Sequence, residues 1–177
     1  MAAQPEEVTA ETAAPEETAA LGAALARLLQ PGDLVELRGE LGAGKTTLVR
    51  GAARELGVEG PITSPTFTVA QRHEGPVPVA HLDGYRLGRE IEPEELDLLR
   101  GEADESAVSF LEWPEALAGL LPEARVAISI EHMGGDRRLV RFAAREPADR
   151  ARLAQLIAHS RPRHRNGEPE SGPHGGG

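Results

Sequence analysis

The chain has 177 residues, a formal net charge of −10 and no cysteine. Its length suits one domain with a proper core, the missing thiols exclude disulfides and thiolate metal sites, and the acidic balance argues against an autonomous nucleic-acid binder. Hydrophobic residues make up 40% and aromatics 3%, so an aliphatic core is expected; no apolar run nears the roughly 18 residues of a membrane span, no signal peptide opens the chain, and a cytoplasmic protein is expected.

Residues 1–15 are Ala, Glu, Pro and Thr without apolar periodicity and read as a disordered acidic tail. From Glu17 to Leu29, Leu21, Leu25, Leu28 and Leu29 share one face, which predicts an amphipathic helix ended by Pro31-Gly32. Asp33 to Arg38 reads as a strand, Gly39 to Thr46 as a loop, and Thr47 to Leu56 as a helix capped by Gly57. Strands follow over Thr66 to Arg72, Val77 to Asp83 and Ala107 to Glu112. Within the charge-rich stretch from Arg86 to Arg100, Glu94 to Leu99 is a short helix with a solvated face. Pro114 opens a further helix to Leu121, Pro being suited to a first helical position. Arg125 to Glu131 and Leu139 to Ala143 flank Gly134-Gly135-Asp136, a hairpin signal. Ala148 to Ala158 is a last helix with Leu153, Leu156 and Ile157 inward. From Ser160 a second tail begins, carrying Arg161, Arg163 and Arg165. Strands alternating with helices predict an α/β domain over residues 16–159, its sheet mostly parallel with an antiparallel hairpin at one edge, between tails at 1–15 and 160–177.

The chemistry centres on Gly39-Glu40-Leu41-Gly42-Ala43-Gly44-Lys45-Thr46, a complete GxxxxGK[ST] phosphate loop between a strand and a helix. Successive backbone N–H groups in such a loop form a concave nest for phosphate oxygens, and the following helix turns its positive end toward the same anion. Gly42, Ala43, Gly44, Lys45, Thr46 and Thr47 are therefore the expected nucleotide contacts, with Lys45 on the β/γ-phosphates and the Thr46 hydroxyl on Mg²⁺. A metal bridging the phosphates needs a carboxylate at the end of a neighbouring strand. Asp83 closes an apolar run and fits that role, or else starts the turn before Gly84. Glu112 ends a second run; it either coordinates the metal and orients the attacking water, or caps the helix opened by Pro114. His81 lies on the same strand face as Asp83 and reads first as a core histidine. Thr63-Ser64-Pro65-Thr66-Phe67-Thr68 reads equally as a nucleotide-sensing segment or a hydroxyl-rich lead into a strand. No Asn-Lys-x-Asp motif follows, which removes the usual guanine reader, and no lid domain fits between the tails. The residues themselves leave an ATPase, a nucleotide-dependent binding module with incidental hydrolysis, and a small-molecule kinase open.

In order, LRGELGAGKTTLVRG, SPTFTV, HLDGYRL and LEWPE resemble the TsaE (YjeE) family, ATPases of tRNA threonylcarbamoyladenosine biosynthesis, over about Thr18 to Phe142. The resemblance implies a P-loop NTPase fold, a three-layer sandwich. It implies ATP or ADP on Gly39 to Thr46, Mg²⁺ on Thr46 and Glu112, and Asp83 as the Walker-B acid. Lys45, Asp83 and Glu112 become the expected catalytic residues. By the same resemblance Thr18 lies near the adenine, Trp113 adjoins the metal-site acid, and Arg138 or its neighbour Arg137 corresponds to an arginine near the phosphates. The implied function is accessory: with the TsaB and TsaD proteins, ATP hydrolysis supports N6-threonylcarbamoyladenosine formation at position 37 of tRNAs that read ANN codons, tRNA being met mainly through those partners. Gly84 departs from the family pattern, where an apolar residue is usual, and implies a looser turn after Asp83.

Overall fold

A computed structural model describes residues 7–65, 68–85 and 91–160. Seven strands form one sheet in the order β1-β7-β6-β2-β5-β4-β3: β1 is Val8–Thr12, β2 Leu34–Arg38, β3 Ala70–His73, β4 Val79–Asp83, β5 Val108–Glu112, β6 Val126–His132 and β7 Arg138–Ala144. The inner four, β6-β2-β5-β4, run parallel; β3 at one edge and β7 at the other run against them, and β1 pairs antiparallel with β7. Side chains alternate across a strand, and this alternation sorts the core into two layers. Val35, Leu37, Val108, Phe110, Ile128 and Phe142 face helices α1 (Pro15–Ala26), α2 (Lys45–Glu55) and α4 (Pro147–Ser160). Leu34, Ala80, Leu82 and Leu111 face α3 (Pro93–Glu102) and a 3₁₀ turn, Pro114–Leu117. Helices on both faces make the three-layer α/β sandwich.

Two expectations need correction. The acidic N-terminal segment is not wholly a tail, because residues 8–12 form edge strand β1 in register with β7, Thr12 opposite Arg138. Its inward side chains are Val8, only partly buried, Ala10 and Thr12, and one valine beside a small and a polar residue does not register as a strand's apolar alternation. The helix expected over 114–121 is a single 3₁₀ turn ending at Leu117. Trp113 enters it at φ 54°, and the turn stops short of Gly119, which sits at φ 77°. Much of the notional helix would in any case have had no core to face, since residues 118–120 are exposed.

The first two helices cross almost backbone to backbone. A Cβ at Gly51 would lie 1.9 Å from the Ala19 carbonyl oxygen, and one at Gly22 would lie 2.0 Å from that of Leu48. This contact draws α1 onto the helix that follows the phosphate loop. At the amino-terminal ends of the parallel strands, Arg125 donates to Asp33 at 2.7 Å and to both Asp149 oxygens at 2.8 and 2.9 Å, tying the start of β2 and β6 to α4. The paired bonds hold Asp149 below the usual carboxylate range and raise the Arg125 guanidinium further. Within α3 only Leu99 is buried, so its remaining faces are solvated, as its charge pattern predicts; Arg86 to Glu90, and the arginines of the C-terminal tail, lie outside the described residues.

Candidate functional site

Residues 39–44 join β2 to α2 at the carboxyl ends of the parallel strands, where α/β sheets bind ligands. Two features of the glycines force the loop's path. Gly44 caps α2 at φ 109°, a conformation that costs a residue with a Cβ. At Gly39 a Cβ would lie 2.6 Å from the Ile130 carbonyl oxygen, so the loop passes close over β6. Leu41, at the tip, is 95% exposed.

Lys45 is buried at the first turn of α2. Its ammonium donates to the carbonyls of Gly39 at 2.7 Å and Glu40 at 2.9 Å, closing the loop on itself. Its Nζ also lies 3.8 Å from Glu112 Oε2 and 5.1 Å from the centre of the Trp113 ring. Thr46 and Thr47 follow it on the helix and are half-buried.

The two strand-end acids are register partners, Asp83 of β4 beside Glu112 of β5, and Leu37 of β2 pairs with Glu112 from the other side. Alternation places both acids on the α2 face, in line with Val79 and Phe110 beneath them. Both are buried, Asp83 at 9% exposure and Glu112 at 6%. Asp83 Oδ1 accepts from the Tyr85 N–H at 2.9 Å, while Glu112 Oε1 is 2.8 Å from His81 Nε2. His81 is thus a core histidine, fully buried, and a contact of the site as well.

Gly84 does the opposite of loosening its turn. Its N–H donates to the Glu112 carbonyl at 2.8 Å, and a Cβ there would lie 2.3 Å from the Trp113 carbonyl oxygen. The missing side chain lets the ends of β4 and β5 close together. Trp113, the one non-glycine residue with positive φ among those described, then turns the chain so that its ring meets Lys45 and Tyr85, the aromatic centroids 5.2 Å apart.

Thr18 is buried, and its hydroxyl is engaged with that of Thr12 at 2.9 Å; its methyl group faces Gly44. The ambiguity between the adjacent arginines is resolved spatially. Arg138 donates to the Ala43 carbonyl at 2.8 Å and to that of Gly42 at 3.5 Å, bracing the loop from behind, whereas Arg137 reaches Glu11 on the surface. Thr12, opposite Arg138 in the sheet, joins β1 to this brace. The Thr12–Thr18 contact could not be read from the sequence because it depends on an edge strand hidden in an acidic segment. The segment before β3 carries Ser64, half-buried, and Pro65, buried; Thr66 and Phe67 lie outside the described residues.

A hydroxyl and two carboxylates beside a phosphate loop form a hard-oxygen set. Among the described residues no group of three or more His, Cys, Asp or Glu could hold a metal unaided. Mg²⁺ suits such a set, since it takes one or two carboxylates and completes its shell with phosphate oxygens and water.

Residues 12–140 match the family described as "Threonylcarbamoyl adenosine biosynthesis protein TsaE". A TsaE protein of Streptomyces coelicolor is 48% identical over 121 residues, which is 66% of this chain and 80% of that protein. One from Bacillus subtilis is 38% identical over 135 residues, 75% of this chain and 83% of that protein. The crystal structure of Bacillus subtilis YdiB superposes with a TM-score of 0.72 at 30% identity, over 90% of this chain and all of the other.

Proposed function

The chain belongs to the TsaE family of tRNA threonylcarbamoyladenosine biosynthesis, and from that premise we propose that it is a Mg²⁺-dependent ATPase serving this modification as an accessory to the TsaB and TsaD proteins in the cytoplasm. The observation that carries the ATPase reading is the buried pairing of Lys45 with Glu112, 3.8 Å apart at the mouth of a phosphate loop, with Asp83 in register beside Glu112. A lysine and a carboxylate held that close in a largely desolvated place cost more than apolar residues would, and nucleotide hydrolysis uses both.

In this reading the backbone N–H groups of Gly42 to Thr46 cradle the phosphates. Lys45 exchanges its bonds to the Gly39 and Glu40 carbonyls for β/γ-phosphate oxygens, where it offsets charge developing during transfer. Thr46, Glu112 and Asp83 hold Mg²⁺, which when bound neutralises phosphate charge. A carboxylate orients the attacking water. Arg138 and the Thr12–Thr18 pair keep the loop in its phosphate-binding path, and Thr18 lies on the side toward the base. Nothing in this set acts on an acyl group, which agrees with an accessory role. The net charge of −10 agrees with tRNA being met through partners, and among the described residues no helix is long and apolar enough to cross a membrane.

Steady-state ATP turnover, alone and with TsaB, TsaD and tRNA, tests the proposal. The expected result is slow turnover alone, stimulation by the partners and loss of both in Lys45→Ala. Unchanged threonylcarbamoyladenosine in tRNA after depletion of this protein from its host would refute it.

A further inference from the structure

We propose that His81 is a positioning residue which fixes the Glu112 carboxylate and keeps it from collapsing onto Lys45. The inference rests on the ATPase reading. Glu112 is held from two sides: Oε1 lies 2.8 Å from His81 Nε2, toward the core, and Oε2 lies 3.8 Å from Lys45 Nζ, toward the loop. A carboxylate only accepts hydrogen bonds, so His81 carries its proton on Nε2 and donates. That leaves Nδ1, buried and without a hydrogen-bond partner among the described residues.

The cost of that arrangement is the informative part. His81 lies in register with Phe110 and two residues from Val79 on the same face, and it is fully buried. An apolar side chain would fill this position without stranding a ring nitrogen. What a histidine adds here is one directed N–H on Glu112.

Removing that N–H leaves Oε1 buried and unpaired. The carboxylate then gains most by rotating toward the nearest donor, the Lys45 ammonium. Closing the present 3.8 Å contact to a direct hydrogen-bonded ion pair would withdraw Glu112 from the metal side of the site and Lys45 from the phosphates. His81 thus keeps the two catalytic groups close but separate.

The test uses the full chain and ADP titrated calorimetrically with and without Mg²⁺, alongside ATP turnover. His81→Phe fills the space without a donor, His81→Gln offers an amide N–H to the same oxygen, and each is also made with Glu112→Gln. Loss of an outer partner of a metal-site ligand typically costs about 10–100-fold in affinity or activity. We expect that loss in His81→Phe, seen both in the Mg²⁺-dependent enhancement of ADP affinity and in kcat, with recovery of most of it in His81→Gln. With Glu112→Gln present, His81→Phe should add less than about twofold, since both changes act through one carboxylate. Equal losses in His81→Phe and His81→Gln, a loss that persists in the Glu112→Gln background, or wild-type behaviour of His81→Phe would each overturn the assignment. Should His81→Phe not fold, His81→Met replaces it in the same comparisons. If the wild-type chain itself neither binds nor hydrolyses Mg²⁺–nucleotide, the ATPase reading falls and takes the role of His81 with it.

Discussion

Gly84→Ala isolates the closeness of the β4 and β5 ends with a single methyl group. The added Cβ would lie 2.3 Å from the Trp113 carbonyl oxygen and 3.2 Å from that of Glu112. Relief requires the strand ends to part by about 1 Å, because carbon–oxygen contacts turn repulsive well outside that separation. Rotating the Trp113 peptide is a poor escape, as that residue already sits at φ 54° and ψ 60°. Overpacking of this kind costs about 1–3 kcal/mol, which for a domain of this size lowers Tm by about 2–12 °C. The same displacement parts Asp83 from Glu112, and a misplacement of about 1 Å can cost about 100-fold in turnover. Differential scanning fluorimetry and ATP turnover measure the two effects separately. Trp113 is the only tryptophan, so intrinsic emission should shift as well. A variant with wild-type Tm, turnover and emission would refute the reasoning. A lowered Tm with normal turnover would show that the spacing of these strand ends does not set the site.

Arg138→Met keeps most of the side chain's length but removes the donors to Ala43 and Gly42. At roughly 1 kcal/mol for partly exposed charged bonds, ADP affinity should fall about 5–10-fold by calorimetry, while Arg137→Met should leave it unchanged; equal effects would remove the brace from the explanation. Asp149 has a folded pKa depressed below the ordinary 3.8, chiefly by its hydrogen bonds from Arg125. Its contribution is therefore fully present above that value and lost as pH falls through the lower folded value. Asp149→Asn should lower Tm by about 2–4 °C at pH 7 and converge on wild type at pH values well below 3.8; a constant difference across that range would show that the ion pair is not the cause. His73 is shifted the other way from a paired histidine: burial and the neighbouring His81 lower its pKa. Stability linked to it is present above its ordinary value of 6.5 and declines as pH falls toward the folded value, so His73→Gln should flatten the thermal stability profile just below pH 6.5.

The loop and both acids were legible because they occupy fixed places in local patterns: glycines and Lys45 at set intervals, Asp83 and Glu112 at the ends of apolar runs. Local pattern also delivered α2, β2 and the β6–β7 hairpin nearly to their observed limits. What escaped was set by register between distant segments. Nothing in the order of residues says that Asp83 lies beside Glu112, or that His81 reaches Glu112 across to the next strand. The choice between Arg137 and Arg138 depended on which side of β7 faces the loop. Thr18 drew notice for a base contact, yet its hydroxyl is committed to a strand that composition had hidden.

The edge strand has a practical consequence for where the protein can be cut. The family-matched stretch, residues 12–140, is a natural choice for a minimal version, but it is not a structural unit. Trimming to it deletes nearly all of β1 and the whole of α4, and ends partway along β7, before Phe142. The outer edge of β7 would then offer unpaired backbone groups to any strand that approached, an invitation to aggregate. The bonding of Thr12 to Thr18 makes the amino end mechanically continuous with the nucleotide loop. An affinity tag is therefore better carried at the carboxyl end, beyond α4, than fused directly against β1.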